Sequence, residues 1–406
     1  MSLHTDPTPT EIDTILLADP GDLTLEILEH EVKREYGVDP DTGRPNVRTT
    51  STLSRTGLFR VEKAKIIEQS DRYFRRMFSP NSRWRESTQD QVTLEEDSVT
   101  AMEVWLRVFH AQLPDMSLES VTIADLWKII MAGEKYQFDR KMLSGWFRSW
   151  WTAKSEEILE DIKECRMMFF PAYCFNHAAA FQVLTETLAY EFGGHITECN
   201  PTSLHHMHLP SRVIQQLNAA KGRLRNIFHR ELFSELQNIV ASAKCSCKEA
   251  TVFDYLRELQ RIRVWPTEVN FRQNSICVML ERLRMFNDAN MRCDRSVPAT
   301  GVSNAEGTVD AARVRRPCSD CSRDWQAIVS KADTVTRNYF DGLCLDCMDK
   351  TKNLRLQGDE DDDYWSHSSH RDSYDSQCRI KHDQPTWYFS FMGRSEKRGQ
   401  FEVTPE

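Results

Sequence analysis

The sequence predicts an α+β protein: a small sheet with helical hairpins near the N-terminus, then a mostly α-helical region. Three observations predict it. Period-2 alternation, the mark of a half-buried strand, is concentrated before residue 95. Apolar residues at three- and four-residue steps, the mark of helices with one buried face, dominate from residue 66 to residue 243. In the C-terminal half the cysteines are spaced like metal ligands. A chain of 406 residues implies two or three domains at about 100–200 residues each, and a hydrophobic fraction of 40% suffices for their cores.

Residues 1–20 are polar, carry Pro7, Pro9 and Pro20, and read as a flexible lead. The run from Asp22 to Ile27 alternates and predicts a strand. Residues 36–56 hold Gly37, Pro40, Gly43 and Pro45 among Thr and Ser, so a long loop, counted from residue 31 at its widest, is expected there. A short strand, Gly57–Val61, follows. Ile66, Ile67, Ser70, Tyr73, Phe74, Met77 and Phe78 predict one helix, ended by Pro80. Gln91–Leu94 is the third strand. Asp97 is the expected N-cap of a helix whose face is Ala101, Trp105, Val108 and Phe109. Thr122 and Asp125 spell a capping box that opens a helix through Leu126, Ile130 and Gly133. A Trp- and Phe-rich helix is expected over 139–151.

Residues 152–243 read as helical, interrupted near Gly193, Gly194 and Pro201, with one long helix or two from Arg212 to Ala243. Small polar residues over 294–312 predict a linker, and residues 357–363 an acidic solvated run. Trp387–Phe391 predicts a late strand. The domain division is therefore a lead over 1–20, a first module over 21–152, a helical region over 153–293, a linker over 294–312, a cysteine-bearing segment over 313–394 and a flexible tail over 395–406.

The formal net charge of −9 argues against general nucleic-acid affinity, because phosphate binding needs a basic surface. The N-terminus lacks the basic and apolar regions of a signal peptide. No apolar run approaches the ~20 residues of a membrane span. The chain reads as intracellular, in cytoplasm or nucleus, and in that compartment its twelve cysteines are expected as thiols or metal ligands. Cys318-x-x-Cys321 followed by Cys344-x-x-Cys347 predicts one structural zinc site, four thiolates around a tetrahedral ion. The expected helix over Trp325–Tyr339 fits between the pairs, and Gly342 suits a knuckle turn. A second site is drawn from Cys245, Cys247, Cys378 and His382, with Cys293 or His367 as substitutes. A closed four-ligand site leaves no position for substrate, so its role is structural. Cys165, Cys174, Cys199 and Cys277 read as buried thiols.

No enzyme motif is found: no phosphate-binding glycine loop, no nucleophile elbow, no H-E-x-x-H. His205, His206 and His208 do not share a helix face and read as a polar loop. Cys174 and His177 lie close in sequence, and only their geometry decides whether they form a catalytic pair.

The order strand, loop, strand, helix, strand, helices over 22–151 resembles a BTB/POZ domain. Phe59–Ala64 with Ser70, Tyr73, Phe74, Met77 and Phe78 is similar to the family's first helical hairpin. Val92–Leu94 with Met102–Phe109 is similar to its third strand and next hairpin, and Ala124–Leu126 with Glu134–Tyr136 to the last. The family commonly has His where this chain has Glu62, and its N-terminal swapping helix is not visible in residues 1–20. The resemblance implies partner-binding roles for Asp22 and Lys63, at a charged pocket in a homodimer groove; a fold-supporting ion pair is the alternative. It also implies that Trp84 and Glu86, within Trp84-Arg85-Glu86, grip a cullin scaffold; the alternative is a Trp folded back on its own domain. Tyr339–Met348, Cys378–His382 and Pro385–Arg394 resemble the C-terminal region of BTB proteins from filamentous fungi.

The resulting expectation is a non-enzymatic protein–protein interaction protein, a substrate adaptor for a cullin ubiquitin ligase. The alternatives are a nuclear regulator whose zinc region contacts nucleic acid through Arg257, Arg261, Arg263, Arg313, Arg315 and Arg316, or a homotypic scaffold.

Overall fold

The computed structural model describes residues 11–38, 45–70, 72–79, 82–112, 116–291, 318–348 and 378–390. The linker over 294–312, the acidic run, the tail over 395–406, Cys293, His367, Arg313, Arg315 and Arg316 lie outside these residues. Among the described residues the fold is α+β: one four-stranded mixed sheet and otherwise helices and turns.

The strands are β1 (Glu11–Leu16), β2 (Leu23–Val38), β3 (Pro45–Val61) and β4 (Gln91–Glu95). Their order is β1-β3-β2-β4. β2 and β3 form an antiparallel hairpin, while β1 runs parallel to β3 and β4 parallel to β2. The register sets Leu25 between Phe59 and Val92, and Leu23 opposite Val61. All five side chains are buried, as the period-2 alternation requires.

Two expectations for this region are corrected. The lead over 1–20 contains β1 from Glu11 onward. The long loop over 31–56 is instead the outer arm of the hairpin, paired from His30↔Leu53 to Val38↔Pro45. A register shift between Glu29 and His30 marks where the arm begins. Beyond it Val32 and Leu53 are exposed, so no buried face imposes alternation. The arm rests on the β-propensity of its Thr and Val residues, which a search for apolar periodicity does not register.

The single helix expected over 66–78 is two, α1 (Lys63–Gln69) and α2 (Tyr73–Met77). Ser70 breaks it. Its buried hydroxyl donates to the Tyr136 carbonyl at 3.1 Å and accepts the Phe74 amide at 3.1 Å. In α3 (Val99–Phe109) the N-cap is Ser98, not Asp97: the Ser98 side chain accepts the Ala101 amide. Asp97 is buried and faces Lys135 and Tyr136 instead. The capping box of Thr122 and Asp125 opens α4 (Ile123–Tyr136) as expected. α5 (Ser144–Glu160) and α6 (Ile162–Cys174) follow. Three tryptophans tie this region together, each indole N–H donating to a backbone carbonyl at 2.9 Å: Trp105 to Ile129, Trp127 to Met167 and Trp150 to Val121.

The remaining helices are α7 (Ala178–Glu191), α8 (Ser211–Ser242), α9 (Lys248–Arg261), α10 (Thr267–Gln273), α11 (Ile276–Leu283), α12 (Trp325–Arg337), α13 (Leu345–Met348) and α14 (Gln384–Ser390). α8 is one unbroken helix of 32 residues. The late strand expected at Trp387–Phe391 is contradicted: residues through Ser390 are helical. Thr386, Trp387, Phe389 and Ser390 are all buried, and a short element buried nearly all round has no period by which to tell strand from helix.

Two compact units emerge. One holds residues up to Ala180 together with Glu198–His208; the other holds Phe181–Thr197 together with residues from Leu209 on. The first continues past residue 152 because Trp127 anchors α6, stacking on Phe170 at 4.7 Å.

Candidate functional site

The second unit gathers seven of its cysteines and His382 into two four-donor groups, Cys245, Cys247, Cys318 and Cys321 in one and Cys344, Cys347, Cys378 and His382 in the other. Within each, the ligand atoms lie within 4.8 Å of one another. All eight predicted ligands are thus used, but Cys318 and Cys321 do not share a centre with Cys344 and Cys347. The pairs sit at opposite ends of α12, and a helix of 13 residues is about 20 Å long. The helix expected to fit between the pairs is what separates them.

The first centre joins the turn between α8 and α9 to the turn before α12. The sulfurs of Cys247 and Cys321 lie 3.3 Å apart, and the Thr251 hydroxyl reaches the Cys321 sulfur at 3.4 Å. The backbone amides of Cys321 and Asp320 hold the Cys318 thiol down at about 7, whereas burial pushes Cys321 up to about 12. Arg323 fixes the turn to α8 by donating to Glu235 at 2.9 Å, and Asp324 caps α12.

The second centre joins the knuckle before α13 to the segment leading into α14. The Cys347 sulfur lies 3.6 Å from the Cys378 sulfur and 3.4 Å from His382 Nε2. His382 Nδ1 faces the Asp383 carbonyl at 3.0 Å, which fixes the tautomer that leaves Nε2 for a metal. Burial alone would push the imidazole down, but the sulfurs of Cys344 and Cys378 and the Asp383 carbonyl hold it up at about 11. Neighbouring Cys347 and Cys378 hydrogen bonds draw the Cys344 thiol far below its ordinary range. Three sulfurs and an imidazole converging this closely form a seat for a cation that would displace their shared protons on binding.

Buried Asp346 braces this centre, accepting from the Arg379 amide at 2.7 Å and from Arg379 Nε at 3.1 Å. Gly342 makes the knuckle with φ +87°, the left-handed conformation expected of it. Cys344 N–H donates to Ser390 Oγ at 2.8 Å, and Leu343 N–H to Thr185 Oγ1 at 2.7 Å. Sequence reading did not foresee the bracing by Asp346 and Arg379; the only signal was that each residue immediately follows a cysteine or precedes one by a single position.

In the first unit hydrogen bonds through Ser87 link three of the four partner-binding candidates, Asp22, Lys63 and Trp84. Asp22 Oδ1 accepts the Lys63 backbone amide at 2.7 Å, so it caps the start of α1 rather than pairing with the Lys63 ammonium. That ammonium donates to the Ser87 carbonyl at 3.1 Å and lies over the Phe78 ring. Ser87 in turn donates to the Trp84 carbonyl at 2.8 Å. Trp84 is 45% exposed yet sets its ring edge-on to Tyr73 at 5.9 Å. Glu86 sits in the same short 3-10 turn, Arg85–Thr88.

Other candidates separate. His205, His206 and His208 form no metal group among the described residues; His206 faces Glu134 at 3.6 Å, and Asn200 holds the loop through the Leu204 and Met207 carbonyls. Burial pushes the Cys174 thiol up to about 12, the opposite of an activated nucleophile. Arg257 pairs with Asp254 at 2.9 Å and Arg261 with Glu258 at 2.6 Å, which leaves less charge for phosphate.

No family model, no curated protein and no solved structure matches the chain. Among the described residues no helix is long and apolar enough to cross a membrane.

Proposed function

We propose that the chain is a non-catalytic interaction protein. Its first unit docks a protein partner in the manner of a BTB/POZ module, and its second unit is a helical body stapled by two zinc ions. The observation that supports the reading is the run Asp22–Lys63–Ser87–Trp84, in which hydrogen bonds link three of the four partner-binding candidates. The element order agrees with it: hairpin, two short helices, strand β4, then helices α3 and α4. Zinc is the metal of choice for the second unit, since soft thiolate and imidazole donors in fours match its tetrahedral preference. The partner is a cullin scaffold.

Immobilised full-length protein is expected to retain a cullin from extract. Trp84→Ala with Glu86→Ala should retain severalfold less, an aromatic interface anchor being worth about 2 kcal/mol or more. Equal retention by both proteins, or none by either, removes the adaptor reading.

A further inference from the structure

We propose that the first metal centre is also a site of oxidative modification, at which a hydroperoxide closes a disulfide between Cys247 and Cys321 and releases the ion. The inference rests on the two-zinc reading above and adds a chemical difference between the centres. Three observations carry it. The first centre has four sulfurs and the second three sulfurs and an imidazole, so with Zn²⁺ the first bears a net charge of −2 and the second −1, which makes the first the stronger nucleophile. Three of the four ligands of the first centre, Cys245, Cys247 and Cys318, are only half-buried, whereas in the second only Cys378 is, and Cys344, Cys347 and His382 are buried. The Cys247 and Cys321 sulfurs are 3.3 Å apart, so a bond needs a shift of roughly an ångström.

Accessibility assigns the order. The half-buried Cys247 thiolate attacks the peroxide: an S–O bond forms, the O–O bond breaks, and water leaves after taking a proton. Cys247 is then a sulfenic acid. The Cys321 thiolate, 2% exposed, attacks that sulfur: the S–S bond forms, the S–O bond breaks, and a second water leaves. Two thiolates, one hydrogen peroxide and two protons give one disulfide and two waters; the sulfurs lose two electrons and the peroxide gains them. Cys245 and Cys318 alone are too few ligands for a tetrahedral zinc ion. The new bond spans the same two turns that the metal joined, so the connection survives in covalent form.

The test uses full-length protein, hydrogen peroxide and a chromogenic zinc chelator, with zinc content measured first. Two zinc ions per chain are expected before treatment. One equivalent should then be released at least tenfold faster than the second. Peptide mapping after alkylation should show a Cys247–Cys321 cross-link, with Cys344, Cys347 and Cys378 still reduced. Dithiothreitol and zinc together should restore the starting content. Release of both ions together, retention of both under excess peroxide, or a different cross-link overturns this proposal while two zincs remain established. Absence of zinc from untreated protein overturns the two-zinc reading itself and takes this proposal with it.

Discussion

Asp97 and Ser98 stand side by side at the head of α3 and perform different tasks. Ser98 satisfies the Ala101 amide. Asp97 is buried, accepts a hydrogen bond from the Tyr136 hydroxyl and accepts from Lys135 at 2.9 Å. Burial, followed by the Asp97 charge, pushes the Tyr136 phenol well above its ordinary range, so it remains a donor. Replacing Ser98 by Ala should cost about 1 kcal/mol, the worth of a cap. Replacing Asp97 by Ala strands a buried phenol and a cation, and should cost about 3 kcal/mol, the lower end for a broken buried pair because Lys135 stays half in water. Urea unfolding of the two variants checks the order. His110 carries a pH prediction. Nδ1 faces the Leu106 carbonyl at 2.8 Å and Nε2 accepts the Glu62 amide at 3.0 Å, an arrangement only the neutral ring satisfies. Burial lowers its pKa. The unfolded chain therefore takes up this proton first, from about pH 6.5 downward. Its contribution is full above that value and is lost as pH falls towards the folded pKa. Wild type should lose more stability between pH 7.5 and 5.5 than His110→Gln; equal losses would assign the acid sensitivity elsewhere.

At the scale of elements, legibility in the sequence followed burial on one face. Leu23, Leu25 and Ile27 alternate because one side of β2 is buried, and the capping box of α4 is local chemistry. What was hidden lacked such a face. The hairpin arm beyond Glu29 is exposed at Val32 and Leu53, α14 is buried nearly all round, and the break at Ser70 depends on Tyr136 and Phe138, far away in sequence. Gly342 shows local and distant causes meeting at one turn. Its φ of +87° is legible as a glycine requirement, but a Cβ there would also lie 2.1 Å from the Gln182 carbonyl oxygen. Gly342→Ala therefore meets backbone strain of about 1–3 kcal/mol and a clash that only a shift of α7 or of the knuckle relieves. The knuckle also positions Cys344. The variant should keep the first zinc, lose most of the second, and melt at lower temperature; an unchanged zinc content would place the strain outside the metal centre.

At the scale of the whole chain, the metal pairing reorganises what the sequence suggested. The eight ligands were legible by type and spacing, but their partition was not, because the two C-x-x-C pairs invite a common centre. The partition follows chain order: the first two pairs form one donor group and the last two form the other. α12 lies between the centres, packed along α8 with Trp325 stacked on Tyr255 at 4.3 Å. A metal at each end would thus fix this helix to the turns on either side of it. The two partitions predict different stoichiometry. In the observed arrangement Cys247→Ser and Cys378→Ser each remove one ligand from a different centre. Each should lower zinc from two ions per chain to one, and the double variant should hold almost none. The partition suggested by the sequence, Cys318, Cys321, Cys344 and Cys347 in one centre and Cys245, Cys247, Cys378 and His382 in the other, puts both substitutions in one centre, so the double variant would instead still hold one ion. Apparent zinc affinities in structural sites are worth about 10–16 kcal/mol, so losing one ion should be visible in unfolding as well as in metal content. Chelation of wild type should unfold the segments around α12 and α14 in the second unit, while the α1–α4 region, which holds none of these ligands, should keep its hydrogen-exchange protection.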